Sequence, residues 1–281
     1  LGSCLQELAP ANTRIIAPNS AAFDLSQPHT LDKLLNTYRP NQIVNCGAYT
    51  NVDKAETQTD LAMCINADAV RVLAVYAAKH SIPFVQVSTD FVFDGRKRTP
   101  YAPSDETNPL NAYGTTKLAG ELAAIEANPK TWVVRASGIY SDHGNNFALK
   151  IIELAQQRES LSVVTDQVGS PCYAPNLAKA LWKILAVQPP TGIYHFSDFG
   201  EVSRFEFAQA IVDEAAAAGV IKKTVPIKGV LSSHFPSPVT RPEYSVLDAS
   251  LLKEVADVSV SEWRPALQDM IRRVAVRTQS N

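Results

Sequence analysis

Tyr113 and Lys117 stand four residues apart in the segment Ala112-Tyr113-Gly114-Thr115-Thr116-Lys117. That spacing sets a phenol and an ammonium one above the other on a helix face. An ammonium beside a phenol favours the phenolate and draws the tyrosine pKa toward working pH. The result is a proton donor matched to a carbonyl or an alcohol. Thr89 closes an apolar run a short way upstream, and its hydroxyl is placed to hold the same oxygen. This is a kit for reducing a ketone by hydride transfer. The spacing alone is weak, because a surface helix with one aromatic contact and a solvated lysine carries it too.

The surrounding pattern must position these groups. Residues 14–17, 42–46, 83–87 and 131–135 read as strands, and Leu161–Val164 and Gly192–Phe196 continue the series. Helical patterns fall between them over 31–38, 60–80 and Ala112–Ala127, the second carrying Leu61, Ile65, Ala69 and Leu73. Strands alternating with helices imply parallel pairing through helical crossovers, and buried parallel strands read as continuous apolar runs. The fold class is therefore α/β, a doubly wound parallel sheet of Rossmann type. Ligands in such folds sit beyond the carboxyl ends of the strands. The strand tails here, Cys46-Gly47-Ala48-Tyr49-Thr50, Ser88-Thr89-Asp90 and Ala136-Ser137-Gly138, are small or polar, as a cleft floor requires. After about residue 140 the alternation loosens. Residues 1–198 are expected to form the dinucleotide-binding domain, with part of a substrate lobe inserted around 141–180. Residues 199–281 form the rest of that smaller C-terminal lobe. Its loop 233–242 holds three prolines in ten residues, and loops of that length are often functional.

Composition narrows the classes of function. The 281 residues are 46% hydrophobic with a formal net charge of −2, so neither a nucleic-acid surface nor a polybasic membrane patch is expected. Cys4, Cys46, Cys64 and Cys172 form no C-x-x-C pair, which points to reduced core thiols rather than zinc or disulfides. No apolar run approaches a membrane span and the first residues lack a signal pattern, so the expected location is cytoplasmic.

Six segments in order give the chain a family resemblance. They are 44–56 (VNCGAYTNVDKAE), 88–95 (STDFVFDG), 109–121 (PLNAYGTTKLAGE), 144–147 (GNNF), 166–171 (DQVGSP) and 241–247 (RPEYSVL). The chain resembles the dTDP-4-dehydrorhamnose reductase family of extended short-chain dehydrogenase/reductases. The resemblance implies Tyr113 as proton donor, with Lys117 lowering its pKa and holding the nicotinamide ribose. It implies Thr89 and Asp90 beside the sugar keto group. Asp24 and Leu25 would line the adenine site, and Leu1, Gly2, Ala48, Tyr49, Thr50 and Val87 would run along the dinucleotide. Gly138 and Arg241 would meet the nucleotide-sugar. The implied reaction is NADPH- or NADH-dependent reduction of dTDP-4-dehydro-L-rhamnose, a dTDP-linked keto-deoxysugar, to dTDP-L-rhamnose. The sequence leaves open a homodimer and a bound Mg2+, and shows no metal site.

Several residues also have plainer readings. Asp24 suits an N-cap. Thr89 suits a strand-end turn. Asp53 and Glu56 suit early-helix charges favoured by the dipole. His195 lies in an apolar strand, as a hydrogen-bonded core histidine would. Trp182 and Trp263 read as packing. Arg241 fits a surface loop or a pyrophosphate.

The pattern also departs from the family. The chain opens Leu1-Gly2-Ser3-Cys4-Leu5, like the end of a G-x-x-G-x-x-G loop with Gly2 as its third glycine. The expected first strand and two glycines, about ten residues, do not precede it, so a truncated chain with impaired activity is expected. Phe91 stands where the family often has tyrosine, and Gly138 where it often has tryptophan. A dehydratase would need an acid at position 91, which phenylalanine cannot supply. An epimerase on the same fold is the nearer rival. A non-catalytic dinucleotide-binding regulatory subunit, of the methionine adenosyltransferase type, is the rival from another class.

Overall fold

The computed structural model describes residues 1–279. Its longer strands, in chain order, are β1 Ile43–Asn45, β2 Phe84–Thr89, β3 Thr131–Ala136, β4 Leu161–Val164, β5 Gly192–Phe196 and β6 Ile227–Val230. Its helices are α1 Gly2–Glu7, α2 Pro28–Tyr38, α3 Thr59–His80, α4 Ala112–Ala127, α5 Phe147–Gln157, α6 Ala174–Val187, α7 Arg204–Ala217, α8 Ser250–Ala256 and α9 Trp263–Gln279. A single helical turn, Val52–Ala55, precedes α3.

The central sheet is parallel, in the order β1-β2-β3-β5. All six residues of β2 and all six of β3 are buried, as strands covered on both faces are, and Gln86 and Arg135 are buried with their apolar neighbours. Successive strand residues point to opposite faces. Phe84 accordingly joins a cluster with α2 and α3, whereas Val85 and Val87 join one with α1, α6 and α8. The second face includes Leu252 and Ala256, so α8 packs with the sheet although it lies late in the chain. A separate cluster is built from α5, α7 and α9 around the parallel pair β4–β6.

Two sequence expectations need correction. Residues 14–17 form no strand; among the described residues no ladder reaches them, and Ile16 is 40% exposed. An extended segment without a neighbouring backbone leaves its polar groups to water. The second concerns α3. By length and hydropathy this helix could cross a membrane, but half of its most apolar window is buried in the protein, as a core helix requires. Leu61 is exposed rather than buried. The buried stripe runs instead through Ala62, Asn66, Ala69, Val70 and Leu73, and a π-turn at Cys64–Asp68 lies within it.

A candidate active site at the strand ends

The floor of the site is the carboxyl end of β2. Thr89 donates to Asp90 Oδ1 at 3.0 Å and accepts from the Phe91 amide at 3.2 Å. Ser137, just past β3, donates to Asp90 Oδ2 at 3.0 Å. Thr89 and Asp90 are both buried. Burial pushes the Asp90 carboxyl above its ordinary range, and the hydroxyls of Ser245, Ser137 and Thr89 only partly restrain it.

Tyr113 enters from the first turn of α4. Asn111 caps that helix by accepting from the Gly114 amide at 2.9 Å, and Glu56 Oε1 accepts from the Ala112 amide at 2.8 Å. The phenol faces the Thr89 hydroxyl, which favours its ionised form, but burial dominates and its pKa is pushed up to about 12. The Phe91 ring meets Tyr113 edge-on with centroids 5.7 Å apart. Lys117 is buried, and its ammonium donates to the Val87 carbonyl at 2.8 Å. Its pKa is drawn down to about 8, chiefly by burial, with Glu121 and Cys46 opposing. Lys117 is not among the groups that shift the phenol. Desolvation raises the phenol, and the ammonium is tethered to a strand carbonyl. The phenol is fully protonated at neutral pH.

The residues expected along the dinucleotide gather at the tail of β1. Gly2 faces Cys46, whose Sγ lies 3.7 Å from where a glycine Cβ would stand. Leu25 packs against Gly47, and Gly47 donates to Asn45 Oδ1 at 3.2 Å. Asp24 is exposed and accepts from the Ser26 amide at 2.9 Å, a local turn. Asn66 fixes the next stretch: its Oδ1 accepts from the Tyr49 amide at 2.8 Å, and its Nδ2 donates to the Tyr49 carbonyl at 3.2 Å and to Thr116 Oγ1 at 3.0 Å. One buried amide thus couples the loop after β1 to the helix of Tyr113. Gly120 makes that approach possible, since a Cβ there would lie 1.9 Å from the Asn66 carbonyl oxygen.

A cavity of about 240 Å3 opens beside Asp90, lined among others by Ser137, Gly138, Phe147, Arg204, Arg241 and Ser245. Gly138 has a left-handed φ of +53°, so a side chain there is strained even though the nearest atoms, of Ser170 and Pro171, leave room. The loop 233–242 forms a strap whose end, Arg241 and Pro242, reaches the cavity wall. Arg241 donates to Asp53 Oδ1 at 2.8 Å and to Ser237 Oγ at 3.1 Å, and the Thr240 carbonyl accepts from Asn111 at 2.9 Å. Asp53 and Glu56 are thus not merely dipole-favoured charges: one holds the strap and the other the start of α4. His195 is a core histidine as expected. It is fully buried, its Nδ1 lies 2.9 Å from the Tyr101 carbonyl, and its pKa falls to about 3, chiefly through burial.

Sequence reasoning missed Asn66 and Arg204. A lone polar residue inside an apolar helical pattern was the available signal for Asn66. Arg204 follows Ser203 in Ser-x-x-Glu, a capping box that the structure forms with Glu206, so its place at the start of α7 was readable but its direction was not.

Comparison with known proteins identifies the family. The family model described as RmlD substrate binding domain matches residues 1–276. A dTDP-4-dehydrorhamnose reductase of Aggregatibacter actinomycetemcomitans is 33% identical over 277 residues, 96% of this chain and 94% of that protein. The crystal structure of a dTDP-4-dehydrorhamnose reductase from Clostridium acetobutylicum superposes with a TM-score of 0.90 at 35% identity, covering 97% of this chain and 95% of that one. That of Bacillus anthracis, solved in complex with NADP, gives 0.90 at 33% identity with the same coverage. With a matching family model over nearly its whole length, full-length relatives above 30% identity and the same parallel sheet, the chain belongs to the RmlD substrate binding domain family.

Proposed function

We propose that this chain is a dTDP-4-dehydrorhamnose reductase, reducing the C4 keto group of the nucleotide-sugar with NADPH. The observation that carries the reading is the meeting of Tyr113 and Thr89 at the end of β2, with Lys117 buried one turn behind. A phenol held protonated is a proton donor at neutral pH, and Thr89 lies beside it to position the carbonyl oxygen. Lys117, anchored on Val87, is cationic below about pH 8 and supports negative charge developing nearby. Phe91 beside Tyr113 brings no further acid or base, which favours reduction over dehydration.

The residues present fit a dinucleotide. Gly2 and the exposed Cys46 leave a surface at the tail of β1 without large side chains. Leu1, Gly2, Ala48, Tyr49, Thr50 and Lys117 would hold it, with Asp24 and Leu25 at its far end. When bound, it supplies the hydride. The chain's own residues orient the ketone, exclude water and deliver a proton from the Tyr113 hydroxyl. Asp90, Gly138 and Arg241 would face the sugar nucleotide. The separate packing clusters support the two-part division into a dinucleotide domain, mostly within 1–198, and a substrate lobe. α8 is assigned to the former. Biosynthesis of a soluble sugar nucleotide puts the work in the cytoplasm.

The test is Tyr113→Phe, followed by NADPH oxidation with dTDP-4-dehydrorhamnose. A loss of at least about a hundredfold in kcat is expected, with NADPH binding retained. An unchanged rate would remove Tyr113 from the reaction.

A further inference from the structure

Two guanidinium groups line the cavity, and they differ in what already holds them. Arg241 is engaged by Asp53 and Ser237. Arg204 is not. Its backbone amide donates to the Gln167 carbonyl at 2.9 Å, and its guanidinium carbon lies 5.0 Å from the centroid of the Phe147 ring. Among the described residues no side chain accepts a hydrogen bond from that guanidinium or pairs with it as an ion. The nearest influence of opposite sign is Asp90, whose two oxygens already accept from Thr89 and Ser137.

Such an arrangement is costly. Half-burial strips water from the cation and pushes its pKa down, and the like charge of Arg241 pushes the same way against Asp90. A desolvated cation with five donors and no acceptor becomes favourable once a planar oxyanion arrives to satisfy the fork. The guanidinium lies over the Phe147 ring, a cation–π contact that helps hold it at the cavity wall.

We propose that Arg204 is the oxyanion anchor of the substrate cavity and a determinant of which nucleotide-sugars it accepts. This rests on the nucleotide-sugar reading above. Arg241, which the sequence suggested for that task, lines the same cavity but is also bonded to Asp53 and Ser237. Two sources supply the oxyanion in this chemistry: the diphosphate bridge, or a carboxylate on the sugar.

Titration calorimetry on the full chain with thymidine, dTDP, dTDP-glucose and dTDP-glucuronate separates them. The wild-type protein is expected to bind dTDP at least about tenfold more tightly than thymidine, as charge-assisted bonds to phosphate require. Arg204→Gln should erase that difference if the diphosphate is the ligand. If the carboxylate is the ligand, Arg204→Gln keeps the dTDP gain and loses a wild-type preference for dTDP-glucuronate over dTDP-glucose. Arg204→Lys keeps the charge without the fork, and it should lie between the two while melting like the wild type. It also decides the matter if the glutamine variant does not fold. Unaltered preferences in the variants would overturn the assignment. Failure of the wild-type protein to bind any of the three nucleotides would instead overturn the nucleotide-sugar reading itself.

Discussion

Every residue of β2 and β3 is buried, whereas every residue from 231 to 238 in and before the strap is exposed. The residues just past the two strands and those just past the exposed run, Arg241 and Pro242, line one cavity. The sheet holds its tails in place with continuous ladders and two packed faces. The strap is held by a few polar bonds, chiefly Arg241 to Asp53 and Asn111 to the Thr240 carbonyl. Thr89 stands on the first kind of structure, and Tyr113 on the capped helix packed beside it. The segment that brings Arg241 and Pro242 to the cavity stands on the second. Bonds of side chains with solvent access are weak and exchangeable, and buried ladders are neither.

Glu121→Gln should break the floor most severely. Glu121 and Arg135 are 1% and 3% exposed at their side chains and share a bidentate contact, with Arg135 Nη2 2.7 Å from Glu121 Oε2. Weakening one partner leaves a poorly compensated charge in the core, and urea denaturation should register a loss of about 3–5 kcal/mol.

Acid tests the seam between the two regions, because His195 on β5 holds the Tyr101 carbonyl, and Tyr101 in turn pairs with residues 246–248 below the strap. The folded pKa of His195, about 3, lies below its ordinary value of 6.5. Between those values the unfolded chain binds the extra proton. Stability from this group is thus intact above pH 6.5 and is lost as pH falls, by up to about 1.4 kcal/mol per pH unit. His195→Asn should flatten that slope in melting curves between pH 6.5 and 4. A slope that persists would place the acid sensitivity elsewhere.

The smallest effect is expected at the strap. Asp53→Asn removes an ion pair whose side chains are 26% and 55% exposed, so stability should change by no more than about 1 kcal/mol. Proteolytic nicking within 231–241 should nevertheless accelerate. A stability loss matching that of Glu121→Gln would erase the contrast between floor and roof.

This contrast also governs what could be read in advance. The sheet was legible from 83–87 and 131–135 because burial on both faces writes itself as an apolar run. Tyr113 and Lys117 were legible because helix spacing is local. The partner of Arg241 was not, since Asp53 lies 188 residues away and no periodicity connects them. Nor was the tuning of Tyr113. The spacing gave the neighbour, but burial set the direction of the shift, and burial is a property of the assembled fold. The substrate lobe suffered most, because its walls include two-residue ladders such as Ile139–Tyr140 with Cys172–Tyr173, too short to leave a pattern.

The wide turn at Cys64–Asp68 makes α3 one residue longer than a regular helix would need to be over the same span. Excising any single residue from it would yield a smoother helix. Yet each residue of an α-helix turns the chain by about 100°, so the same excision would swing either Asn66 or everything before it off its mark. The loop at Tyr49 and the helix of Tyr113 would then lose their common brace while the apolar stripe beyond remained intact. An irregularity of one residue is what lets a single cylinder present two differently phased faces, one to the core and one to the chemistry.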